Sequence, residues 1–217
     1  MAGNLQKEIE KIKKEILSLG AMVEDRFKKA VNAVRTNDTL LARDIISSDI
    51  EIDELEVEEE EECLKILALY QPVAIDLRFL IAVVKINNDL ERVADLAANI
   101  AQRIKTVSGS TSNPFCYDYS SMAEKTGLML KMSLDALVGM DSDMADQVIR
   151  MDKDVNAMRN RAYEAMKTAI IKAPDLVGQT INRYLISRHL ERIGDHATNI
   201  AEEVIHLVDG KIVRHGI

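Results

Sequence analysis

The apolar positions of this chain recur at helical rather than strand spacing. Leu80, Val83, Leu90, Val93, Ala97, Ile100 and Ile104 follow one another at steps of three, four and seven residues. At about 100° per residue such steps gather side chains into one stripe along a helix. Val, Ile and Thr form no short alternating runs divided by turn signals, so a β-sandwich or barrel is not predicted. Three prolines punctuate the pattern. Pro72 and Pro174 each separate two long helical stretches, and Pro114 closes the linker Thr106-Val-Ser-Gly-Ser-Thr-Ser-Asn113. Softer breaks fall at Thr36-Asn37-Asp38 and Gly139-Met140-Asp141, where Asp38 and Asp141 are suited to cap the helices that follow. Six long helices are predicted, roughly 4–36, 38–70, 72–106, 115–139, 141–172 and 174–209.

The two halves read as copies. The segment from Leu90 to Ala101 matches that from Leu190 to Ala201 at eight of twelve positions, at an offset of 100. Asp38, Asp49, Ile52 and Asp53 likewise meet Asp141, Asp152, Val155 and Asn156 at an offset of 103. The prediction is an all-α fold of two tandem three-helix bundles, 1–107 and 115–210, with 211–217 as a C-terminal tail. Long helices joined by short breaks pack as antiparallel neighbours.

Composition narrows the function. The 217 residues are 47% hydrophobic and 29% charged, enough to bury a core. Asp plus Glu (36) exceeds Lys plus Arg (28), and the formal charge of −8 disfavours a general nucleic-acid binder. No apolar run approaches the ~18 residues of a membrane span; the longest runs from Phe79 to Val84. The start, MAGNLQKEIEKIKKE, has no apolar signal-peptide core. Cys63 and Cys116 are isolated, and both are expected to be small buried hydrophobes in a reducing, cytoplasmic setting.

The candidate chemistry is carboxylate. Glu91 and Asp95 are four residues apart, as are Glu191 and Asp195, so each pair shares a helix face. That face lies about 120–160° from the apolar stripe, which predicts acids on the outside of the bundle. Hairpin geometry adds partners. Asp53 lies 19 residues before Pro72 and Glu91 lies 19 after it; Asp49 and Asp95 lie 23 before and after. In the second half, Asp152 lies 22 residues before Pro174 and Asp195 lies 21 after it, while Asn156 and Glu191 are 18 before and 17 after. Each repeat is thus expected to bring acids from two helices to one level. Like charges so placed repel unless a hard cation takes their oxygens or Arg92 and Arg192 neutralise them locally. A plain solvated acidic face is the third reading.

Asp49 to Glu62 holds ten acids in fourteen residues and reads first as a solvated helix face. Glu203 and His206 form a single ExxH, whereas a di-iron bundle needs that motif on two helices; its counterpart in the first half is Arg103. A carboxylate-bridged metal-storage or redox protein is therefore the runner-up. No nucleophile–base pair is visible, no GxxxxGK[ST] loop cradles phosphates, and an enzyme is not expected.

The segment Pro72-Val-Ala-Ile-Asp76-Leu77-Arg78, running on through Leu90-Glu91-Arg92-Val93-Ala94-Asp95, resembles the PhoU family of phosphate-uptake regulators. The repeated E(D)xxxD motif of that family is matched by Glu91-Arg-Val-Ala-Asp95 and Glu191-Arg-Ile-Gly-Asp195. The tail Val208-Asp-Gly210-Lys-Ile-Val-Arg214-His215 also looks like the family's ending, and the resemblance covers nearly the whole chain. It implies two pseudo-twofold three-helix bundles carrying multinuclear metal clusters, with iron foremost and zinc, manganese, nickel or magnesium as other cations. It implies a cytoplasmic, homodimeric negative regulator of the phosphate regulon, linking the ATPase subunit of the phosphate ABC transporter to a sensor histidine kinase. The ligand set expected on these grounds is Glu91, Asp95, Glu191 and Asp195, joined by Asp49, Asp53 and Asp152. Asn156 in place of an acid, and Leu176 near where Asp76 would recur, imply a different ligand set in the second half.

Overall fold

A computed structural model of the chain describes residues 2–48, 50–107 and 114–210. Among them there are seven α-helices and no strand: α1 (Ala2–Thr36), α2 (Thr39–Ser47), α3 (Ile50–Tyr70), α4 (Ala74–Val107), α5 (Ser120–Gly139), α6 (Ser142–Lys172) and α7 (Val177–Asp209). The all-α prediction holds. Asp38 and Asp141 cap as expected: Asp38 Oδ1 accepts from the backbone N–H groups of Leu40 and Leu41, and Asp141 Oδ1 accepts from that of Met144. The tail at 211–217 and most of the linker lie outside the described residues.

The predicted second helix is divided into α2 and α3, although its counterpart α6 runs unbroken for 31 residues. Arg26 explains the difference. Its side chain is buried on α1, and its guanidinium donates to the carbonyl oxygen of Ser48, at the end of α2. A guanidinium inserted at a helix end competes with the next helical N–H for the carbonyl and favours a break there. At the repeat offset of 103 the residue matching Arg26 is Met129, which is fully buried and has no such donor. α7 also starts three residues later than predicted, because Pro174–Leu176 forms a 3-10 turn.

The repeat extends into the core. Leu19 and Met122, Phe27 and Leu130, and Ala33 and Ala136 are buried pairs of α1 and α5. Ala42 and Ala145, Ile45 and Val148, Ile52 and Val155, and Ile66 and Ala169 are buried pairs along α2, α3 and α6. α4 and α7 match at Ile86 and Ile186, Leu90 and Leu190, Ala97 and Ala197, and Ile100 and Ile200. α4 packs on α1, α2 and α3, α7 packs on α5 and α6, and the two lie against each other, so one hydrophobic cluster runs through both repeats. α1 and α5 approach closely. A Cβ on Gly20 would stand 3.1 Å from Leu134 Cδ1, and one on Gly127 would stand 3.0 Å from Phe27 Cε1.

The two cysteines part company. Cys63 is fully buried as expected, with its thiol pushed up to about 12 by burial and then by Glu59 and other nearby glutamates. Cys116 is exposed, against expectation, because it lies in the non-helical stretch before α5, where no neighbouring helix covers it.

Leu90→Ala and Leu190→Ala are each expected to cost about 2–5 kcal/mol, since truncating a buried leucine leaves a cavity. Urea unfolding monitored by circular dichroism reads the loss.

Candidate metal centre

α4 packs against α1, α2, α3 and α7, and α3 brings Asp53 to the side of α4 that carries Glu91 and Asp95. Of the acids predicted on the outside, Glu91 is largely covered, its side chain 17% exposed, whereas Asp95 keeps 36% of its side chain exposed and Asp53 is exposed. Asp53 on α3 meets Glu91 and Asp95 on α4, and one carboxylate oxygen from each lies within 4.8 Å of the others. The hairpin level read from the sequence brings these three together. Asp49 lies outside the described residues.

The charges within this group are poorly satisfied. Glu91 Oε2 is buried and makes no hydrogen bond, although Arg92 Nε comes within 3.2 Å of it. Arg92 Nη1 donates to Asp95 Oδ2 at 3.1 Å. Burial, reinforced by Asp95, pushes the Glu91 carboxyl up to about 7, and Arg92 offsets only part of this. An orphaned carboxylate oxygen beside two further carboxylates fits a hard or borderline cation.

The second half is built differently. Glu191 is 4% exposed, against the outer-face prediction, because α6 packs on α7, whereas Asp195 is exposed as predicted. Arg188 Nη1, one helical turn earlier, donates to Glu191 Oε1 at 2.7 Å and to Oε2 at 2.5 Å. Arg159 Nε on α6 lies 3.3 Å from Oε1. Asp152 accepts from Asn156 Nδ2 at 2.6 Å and keeps one buried oxygen unpaired. Burial and then Glu191 raise the Asp152 carboxyl above its ordinary range. Burial, then Glu191 and Asp152, push Asp195 up to about 6. Asp152, Glu191 and Asp195 thus act on one another, but guanidinium groups already hold Glu191.

Those two arginines were not singled out from the sequence, although a signal was present. At the repeat offsets, Arg159 stands where the first half has Glu56, and Arg188 where it has Asn88. The acid of the single ExxH is also engaged: both oxygens of Glu203 accept from Lys85 Nζ, at 2.9 and 3.0 Å. This is one of several polar contacts between α4 and α7. His196 Nδ1 lies 2.7 Å from Asp89 Oδ1, and Asn199 Nδ2 donates to the same oxygen at 3.0 Å.

A duplicated helical bundle with a carboxylate triad between α3 and α4 places the chain among all-α repeat proteins. Residues 16–104 and 119–204 each match the family model of the PhoU domain, and the chain belongs to that family. It is 36% identical over 209 residues to the phosphate-specific transport system accessory protein PhoU homolog of Pseudomonas aeruginosa, covering 96% of this chain and 86% of that one. It is 30% identical to the phosphate-specific transport system accessory protein PhoU of Escherichia coli, over 99% of this chain and 89% of the relative. The crystal structure of PhoU from Pseudomonas aeruginosa superposes with a TM-score of 0.90 at 35% identity, covering 95% of this chain and 99% of the other. That of the phosphate transport system regulatory protein PhoU from Streptococcus pneumoniae gives 0.86 at 27% identity, covering 97% and 99%.

A carboxyl whose pKa is higher folded than unfolded loses stability as pH rises from its unfolded to its folded value. For Glu91 that window runs from its ordinary value near 4.5 to about 7. In chelator-treated protein, Glu91→Gln is expected to be more stable than wild type at pH 8 and no more stable at pH 5. Denaturant unfolding at the two pH values measures this.

Proposed function

We propose that this chain is a regulatory accessory protein of phosphate transport that carries a bound metal cation between α3 and α4. The observation that carries the regulatory role is the match of both repeats, over nearly the full chain, to relatives named for that system. In the finer form of the reading, it restrains phosphate uptake and represses phosphate-starvation genes when phosphate is plentiful. It does so as a cytoplasmic, homodimeric adaptor between the ATPase subunit of the phosphate ABC transporter and a sensor histidine kinase. Among the described residues no helix is long and apolar enough to cross a membrane, so contact with the transporter would be made from its surface. Charge complementarity at such contacts tunes association rate and specificity more than affinity.

Asp53, Glu91 and Asp95 would hold the cation, with Asp49, four residues before Asp53, as a further ligand. Iron is the first expectation, with zinc, manganese, nickel or magnesium as the others. The cation would supply positive charge that offsets the mutual repulsion of the acids and ties α3 to α4. The second set does not fit a metal as it stands, because Arg188 and Arg159 already bind Glu191. There the protein's own guanidinium groups supply the compensating charge. The storage or redox alternative is weakened by the pairing of Glu203 with Lys85, which occupies its only ExxH carboxylate.

Elemental analysis of protein purified without chelator is expected to find transition metal that Glu91→Ala/Asp95→Ala loses and Glu191→Ala/Asp195→Ala retains. Binding should strengthen as pH rises through about 7, where Glu91 gives up its proton to make room for the cation. Equal metal in wild type and in Glu91→Ala/Asp95→Ala would refute the site.

Deleting the protein is expected to raise a phosphate-starvation reporter under abundant phosphate. Normal repression in the deletion strain would refute the regulatory role.

A further inference from the structure

α1 and α3 form a partly open cavity of about 280 Å³ that none of Asp53, Glu91 and Asp95 lines. Five glutamates and a single lysine line it, together with Leu19 and Leu55. Glu59 is the unusual member. It is 4% exposed, and its Oε1 is buried without a hydrogen-bond partner. Glu15 reaches the same cavity from α1, and its Oε2 is likewise buried and unpartnered. A buried, unpaired carboxyl is costly and is seldom retained for packing alone.

The repeat shows what packing asks for at this point. Ile52, Glu59 and Ile66 lie seven residues apart on the buried side of α3, and at the offset of 103 they match Val155, Ala162 and Ala169 on α6. All six are buried. The sister position of Glu59 is therefore filled by a fully buried alanine, and the fold does not require an acid there.

We infer that this cavity is a binding site for an organic cation, a primary ammonium or guanidinium group on a short aliphatic stem, with Glu59 as its buried counter-ion. The surroundings fit that chemistry. Leu19 and Leu55 offer apolar contact for a methylene stem, and Glu15 stands beside Glu59 to share the charge. The volume is near the lower end of ordinary ligand pockets and corresponds to about nine waters, far more than a bare ion fills. An ammonium already stands at its mouth: Lys11 Nζ lies 3.5 Å from Glu15 Oε1 and 3.6 Å from Glu62 Oε2, leaving Glu59 unpaired behind them. Burial, then Glu15 and Glu56, push the empty Glu59 carboxyl up to about 8. A cation entering the cavity would release that proton to solvent and leave carboxylate against ammonium or guanidinium.

The test is titration of the full-length, metal-stripped protein with agmatine, followed by calorimetry and by the carboxyl 13C resonance of Glu59. Saturable binding that shifts this resonance, and that weakens at least tenfold in both Glu59→Gln and Glu59→Ala, is the expected result. Glu59→Ala should fold, as Ala162 does at the sister position. Glu91→Ala/Asp95→Ala should bind agmatine unchanged, which separates this site from the proposed metal centre. The tripeptide acetyl-Gly-Arg-Gly-amide distinguishes the source of the cation. Binding as tight as that of agmatine places the cation on a protein partner's side chain; binding of agmatine alone places it on a free amine. Absence of saturable binding, undiminished binding in Glu59→Ala, or equal saturation by magnesium at the same concentrations would overturn the inference.

Discussion

α4 and α7 lie against each other, and each also packs against the remaining helices of its own repeat. A helix enclosed in this way has little of its circumference left for water. A charged residue that faces a neighbouring helix then needs a partner or exacts a desolvation cost. The special features of this molecule arise from that enclosure. Glu91 and Glu191 occupy equivalent positions on the enclosed helices, and neither can be left as an ordinary surface acid.

The two repeats meet the same problem with different residues. In the first, the facing helix α3 brings Asp53, so acids accumulate and a buried oxygen of Glu91 makes no hydrogen bond, with Arg92 Nε 3.2 Å away. In the second, α6 brings Arg159, and Arg188 lies one turn before Glu191, so the protein supplies its own cations. Difference at two charged positions, Glu56 against Arg159 and Asn88 against Arg188, separates an acid-rich cluster from one held by guanidinium groups. The asymmetry also extends to the contact between the repeats. Asp89 pairs with His196, whereas the pseudo-equivalent residues are His189 and Leu96, which cannot make the same bond.

Glu59 belongs to the same family of effects. It sits on the buried side of α3, inside a run of acids that reads as a solvated face. Helical periodicity does not distinguish it from Glu58 or Glu60 by residue type alone. Its register with Ile52 and Ile66, and its alignment with a buried alanine in the other repeat, are what mark it as enclosed.

Much was determined by the sequence alone: the all-α class, the internal repeat, the capping aspartates, the apolar stripe of α4 and the level at which Asp53 meets Glu91. These follow from local periodicity and from counting residues on either side of a turn, both of which act within a helix or a hairpin. The covering of Glu91 and Glu191 was decided only by the tertiary structure, since angular distance from an apolar stripe measures one helix and says nothing of a third helix closing over its back. The same holds for the break after Ser48, where a guanidinium twenty-two residues away takes a backbone carbonyl. It holds again for the exposure of Cys116 and for the arginines around Glu191. Each is a contact between segments whose approach depends on how whole helices pack, and no period within a single segment encodes it.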